Sequence, residues 1–168
     1  MSKLRMKWLL CLMMGLAGLT CGNAQPNVRI EPAVPGATLN LKEATASAAV
    51  RDYLESWQTL RNAFAQNRED LLDRDFVGAA KDKLAATIRQ QGTLGIRTTY
   101  EDQVHDIQVV FYSPEGLSLE LEDKVDYDLQ LSDHDKAQTK QHMTAKYIVV
   151  MTPSETRWRV RIFQAEHK

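Results

Sequence analysis

The sequence predicts an α+β fold in which N-terminal helices pack on a curved antiparallel sheet of about four long strands, preceded by a signal peptide. Three observations carry this prediction. Between about residues 42 and 91, apolar side chains recur every three or four positions; beyond Gly95 they recur every second position almost to the end; and the two blocks do not interleave. Helices followed by a meander of strands is the order expected when helices cover one face of a sheet, whereas parallel α/β folds alternate the two.

Met1 to Ala24 reads as a secretory leader. Lys3, Arg5 and Lys7 stand without an acid before the apolar run Trp8–Leu19, roughly a dozen residues, and small residues follow at Gly22-Asn23-Ala24. A membrane span needs about 20 apolar residues, so the run is too short to be one. Cleavage after Ala24 starts the mature chain at Gln25. The rival is a lipoprotein cut before Cys21, although Gly18 stands where a lipobox wants a larger apolar residue. Both cysteines, Cys11 and Cys21, lie in the leader, so the mature body has no disulfide and no thiol nucleophile. The three basic residues also leave with it, making the formal net charge of -1 more acidic, which argues against a nucleic-acid partner. Exported as periplasmic or extracellular, or anchored through Cys21, a remainder of roughly 144 residues is long enough for one packed core.

Residues 25–42 form a Pro-rich arm: Pro26, Pro32, Pro35 and Gly36 block a helix and a central strand, while Val28, Ile30 and Val34 could still pack on the body. The domain proper runs over residues 43–168. Val50, Tyr53, Leu54, Trp57, Leu60 and Phe64 make one buried stripe of a helix from about Lys42 to Asn67. Leu72, Phe76, Ala80, Leu84 and Ile88 predict a second helix from about Glu69 to Gln91, divided near Gly78 and ended by Gly92 and Gly95. Val104–Tyr112 predicts a strand and Ser113–Gly116 its turn. The return carries Leu117, Leu119, Leu121, Val125, Tyr127, Leu129 and Leu131 on one face and Ser118, Glu120, Glu122, Lys124, Asp126, Asp128 and Gln130 on the other. A polar connection over Ser132–Lys140 leads to a strand at about Gln141–Met151, and a turn at Thr152–Glu155 to a last one at Arg157–Gln164, where Trp158, Val160 and Ile162 alternate with Arg157, Arg159 and Arg161.

The Trp57 helix, the hairpin HDIQVVFYSPEGLSLELEDKVDYDLQL and the closing pair AKYIVVMTPSETRWRVRIFQ resemble the nuclear transport factor 2-like (SnoaL-like, cystatin-like) superfamily of cone-shaped domains over about residues 43 to 165, and among its branches the intermembrane domain of plastid-division proteins. The resemblance implies a cone that, in the superfamily's isomerases, dehydratases and cyclases, holds a carboxylate with a His or Tyr. Its pocket-lining positions here would be Trp57, Phe64, Phe111, Tyr127 and Trp158.

Few polar residues fall on the dry face. Asp123 is the single interruption of the apolar series from Leu117 to Leu131; in a regular strand it points inward, while a bulge or bend around Asp123-Lys124 is the ordinary explanation. Asp123 and Tyr127 are the candidate proton-handling groups. His105 and Asp106 are neighbours on a strand, so they face opposite ways and do not share a site. His134 and His142 offer no fixed set of ligands, so neither metal nor other cofactor is expected. Gly-rich phosphate loops, nucleophile elbows and zinc-protease helices are absent from the sequence. On the wet face Glu120 and Glu122 with Asp126 and Asp128 form an acidic ladder, and Arg157, Arg159 and Arg161 a basic one, with Lys146 between. This reads as a solvated sheet surface or as a partner-docking surface. The expected function is a non-enzymatic binding domain that uses its cone or sheet for an apolar ligand or protein partner. A cone-pocket isomerase, dehydratase or cyclase and a structural homodimerisation module are the alternatives.

Overall fold

The computed structural model describes residues 27–31, 41–134 and 136–166. The leader, with its cut at Gln25 and the alternative anchor Cys21, lies outside the described residues, as does Val34. Eight elements follow in order: β1 (Asn27–Ile30), α1 (Glu43–Gln66), a 3₁₀ turn (Glu69–Arg74), α2 (Gly78–Thr93), β2 (Ile96–Tyr112), β3 (Leu119–Asp133), β4 (Lys136–Pro153) and β5 (Trp158–Ala165). Among the described residues no helix is long and apolar enough to cross a membrane.

The helical half matches its periodicity. The stripe Val50, Tyr53, Trp57, Leu60 and Phe64 is buried along α1, which stops where Asn67 turns left-handed at φ 52°. The predicted second helix divides at Gly78, whose φ of +52° suits glycine. Its first part is only a 3₁₀ turn, and its second, α2, runs to Thr93, past Gly92.

The strands are longer than their hydrophobic pattern. β2 begins at Ile96, well before Val104, and β3 and β4 absorb nearly all of the predicted connection Ser132–Lys140, pairing as far as Asp133 with Lys136. Backbone pairing does not require apolar side chains, so the pattern marks where the sheet is covered, and the polar tips extend beyond the cover. Leu131, at such a tip, is accordingly exposed. The sheet has the order β1-β2-β3-β4-β5. It exceeds the expected four strands because the arm supplies β1, parallel to β2 at one edge, and Phe76 adds a one-residue bridge to Val160 at the other. The sheet is therefore mixed, and the long four are antiparallel.

The core lies between the two helices and the inner face of the sheet, where Tyr53, Trp57, Leu72, Phe76, Ile88, Ile107, Leu121 and Met151 are all but fully buried. Two register shifts alter the expected facing. One between Val109 and Phe111 sets Phe111 opposite the outward Glu120, so Phe111 is 46% exposed and does not line the interior. Another, where Val150/Met151 meet Ile162/Val160, turns Ile162 outward and brings Phe163 in.

Candidate functional site

Two places in the molecule have the makings of a site, and they lie on different sides of α1. The first is a buried polar cluster on its inner side. Pairing through Asp123 is unbroken, with Ile107 and Tyr147 as its neighbours, so the expected bulge is absent and the carboxylate points inward with no exposed surface. Tyr53 Oη donates to Asp123 Oδ2 at 2.7 Å, His105 Nδ1 lies 2.8 Å from the same oxygen, and Trp57 Nε1 donates to Tyr53 Oη at 2.8 Å. In the tautomer of a neutral imidazole that donates from Nδ1 to this carboxylate, His105 Nε2 is the acceptor nitrogen. Asp123 Oδ1 is buried without a hydrogen-bond partner among the described residues. Burial, with the Asp123 charge beside it, pushes the Tyr53 phenol well above its ordinary pKa.

Above this cluster the indole of Trp57 occupies the centre of the cone. Its ring centroid lies 5.4 Å from those of His105, Tyr147 and Phe163, 6.2 Å from Tyr100 and 6.3 Å from Tyr127, a set of tilted and edge-to-face contacts. Phe64 joins through Tyr100, and Tyr127 Oη meets Tyr147 Oη at 3.4 Å. Burial raises the pKa of both Tyr100 and Tyr147. Of the five residues expected to line a cone pocket, Trp57, Phe64 and Tyr127 thus come together. Trp158 packs instead on Tyr112 toward the other end of the sheet, and Phe111 is outside.

His105 and Asp106 separate as expected. His105 turns in, while Asp106 turns out to Asn27 and Arg29. The sequence reading missed that His105 pairs with Asp123. His105 stands opposite Val125, a diagonal step from Asp123 on the same face, through the register shift between Val109 and Phe111, which counting back from the Ser113–Gly116 turn does not supply. Tyr100, Tyr147 and Phe163 carried no comparable signal, because a partly buried tyrosine on a strand looks like any other apolar position.

The second place is an open groove of about 510 Å³ between β1 and one flank of α1, lined by Val28, Ile30, Ala46, Val50 and Leu54 with Ser47, Arg51, Glu55 and Gln58 at its margins. Val28 and Ile30 are each 42% exposed although they neighbour the fully buried Ile107 and Val109 of β2. The charges at the margin are matched within the chain: Arg51 with Asp52 at 3.1 Å, and Glu55 with Arg74 at 2.8 Å and Arg157 at 2.7 Å.

The expected charged ladders are resolved unequally. Arg157 is not on the wet face: it precedes β5 and is drawn under α1, where Glu55 and the buried Asp75, at 3.1 Å, hold it. Arg159 donates to the backbone oxygens of Phe76 and Asp73, so of the three arginines Arg161 alone is exposed. Groups on the helical side claimed these guanidiniums, carboxylates for Arg157 and backbone oxygens for Arg159, which strand alternation cannot foresee. Glu120 and Glu122 do face outward, and Lys146 bridges Glu122 at 3.0 Å and Glu166 at 3.3 Å. Among the described residues no three His, Cys, Asp or Glu converge as metal ligands; His142 rests on Asp128 and His134 over Gly95.

No family model matches the chain, and no curated protein matches it. Among solved structures, it is similar to the intermembrane-space region of the chloroplast protein ARC6, at 15% identity and a TM-score of 0.60 over 76% of this chain and 98% of that one. It is also similar to a putative scytalone dehydratase from Novosphingobium aromaticivorans, at 14% identity and a TM-score of 0.49 over 70% and 84%. The first likeness is one of fold alone: the chain has the α+β architecture of that plastid intermembrane-space domain.

Proposed function

We propose that the chain is an exported, non-enzymatic binding domain whose ligand-accepting surface is the groove between β1 and α1. One observation carries the reading: a space open to a ligand is apolar and lies outside the cone, while the cone's centre is occupied by Trp57. A concave surface of several hundred cubic ångströms with a mainly apolar wall is what an apolar ligand or the apolar segment of a partner requires. Export is part of the proposal and is supported by the run Trp8–Leu19 behind three basic residues. The test is titration with the neutral apolar dye N-phenyl-1-naphthylamine. The dye should brighten on binding, and Leu54→Asp should weaken binding at least about tenfold, since a carboxylate in the groove is desolvated without a counter-charge. An unchanged affinity in that variant contradicts the groove.

A second reading, proton transfer inside the cone, is favoured by the buried Asp123 Oδ1 that lacks a partner and by a carboxylate orienting His105 through Nδ1. In that reading Asp123 holds the imidazole, His105 Nε2 takes the proton, and Tyr127 stands beside Trp57. It requires Trp57 to yield space. Its test is isomerase and dehydratase turnover of small cyclic ketones and alcohols. Activity abolished by His105→Gln in a folded protein would establish it, and no turnover by the unaltered chain would dismiss it.

A further inference from the structure

Among the described residues β1 closes one edge of the sheet and pairs with β2 alone. Backbone groups alternate in direction along a strand. Glu31 N–H donates to Val109 O at 3.1 Å, so the odd-numbered residues of β1 face β2. The N–H and C=O of Val28 and Ile30 therefore point to the free edge, and no described residue meets them. Their side chains enter the groove, across from Ala46, Val50 and Leu54.

These features select one kind of occupant. The wall charges Arg51 and Glu55 are already matched within the chain, so the groove is electrically complementary to an uncharged segment and penalises a charged one. The free edge requires N–H and C=O groups at strand spacing, which an extended peptide backbone supplies and a lipid tail or a helix does not. Resting on the groove as the binding surface, we infer that its occupant is an extended, uncharged segment of a protein partner. The segment adds to β1 as a further strand and places every second, apolar side chain between β1 and α1. β1 has four residues, so the paired stretch is about four residues, roughly 13 Å, long.

The test uses the full chain and a fluorescein-labelled octapeptide of alternating valine and threonine, capped at both ends, with binding read by fluorescence anisotropy. Two further versions carry backbone N-methyl groups on all valines or on all threonines. A slip of one residue would turn the valines out of the groove, so the register is fixed in steps of two. One methylation pattern should then weaken binding at least about tenfold and the other hardly at all, because only alternate amides face β1. Ile30→Pro, which removes an outward N–H while leaving the ladder to β2 intact, should weaken the peptide at least about tenfold more than Ile30→Ala, which also shortens the side chain but keeps that N–H. Equal affinity for both methylated peptides and the parent overturns the inference. Dye binding without peptide binding also overturns it and leaves the groove reading standing, whereas loss of both removes the groove reading itself.

Discussion

The two sides of α1 have opposite characters. On the inner side Tyr53 and Trp57 are fully buried, linked by hydrogen bonds to the Asp123 carboxylate and, at Trp57, packed among five rings. Val50 and Leu54, on the same helix, border open space beside a strand that nothing else in the described chain covers. The difference teaches how this small fold divides its labour. Close packing around a buried polar cluster fixes the helix on the sheet, while the arm strand, with fewer neighbours, leaves a surface that tolerates change and accepts a ligand.

The comparison breaks first at Trp57. Trp57→Ala removes the ring that five others contact, and urea unfolding should show a loss of about 3–5 kcal/mol. Asp123→Ala comes next: it leaves the Tyr53 hydroxyl and His105 Nδ1 without their acceptor, for an expected cost of about 2–3 kcal/mol in the same assay. Val28→Asp on the groove side should change stability by less than about 0.5 kcal/mol, since Val28 is already 42% exposed, yet should impair dye binding. Smallest of all, and without effect on dye binding, Lys146→Ala on the outer sheet should cost less than about 0.5 kcal/mol, an effect that shrinks further in salt.

Alkali sharpens the contrast. The folded pKa values of Tyr53, Tyr100 and Tyr147 lie above the ordinary phenol value, so their burial contributes stability that is whole below about pH 10 and is lost as pH rises toward the folded values. Absorbance at 295 nm should therefore show these three tyrosines silent through pH 10 and then ionising together with unfolding. Independent titration of all five tyrosines near pH 10 would mean that the cone is open to water.

Much of the fold was legible because it rests on local periodicity. The stripe from Val50 to Phe64 and the alternation from Leu119 to Leu129 are written in adjacent residues, and Gly78 marked its own break. What escaped depends on groups distant in sequence. Phe111 and Ile162 were turned out by register shifts, which arise from pairing between strands. Arg157 was drawn away from the sheet face by Glu55 and Asp75. Asp123 was visible as an interruption but not as a partner of Tyr53, 70 residues earlier. The groove was least legible, since it exists only where an arm read as a tether becomes an edge strand.

The central claim, that the binding surface lies outside a closed cone, is tested most directly by amide and side-chain chemical-shift mapping as N-phenyl-1-naphthylamine is added. The account predicts shifts at Val28, Ile30, Ala46, Val50 and Leu54, with Tyr100, Tyr127 and Tyr147 unmoved. Shifts centred on those tyrosines and on Asp123, with β1 silent, would contradict it.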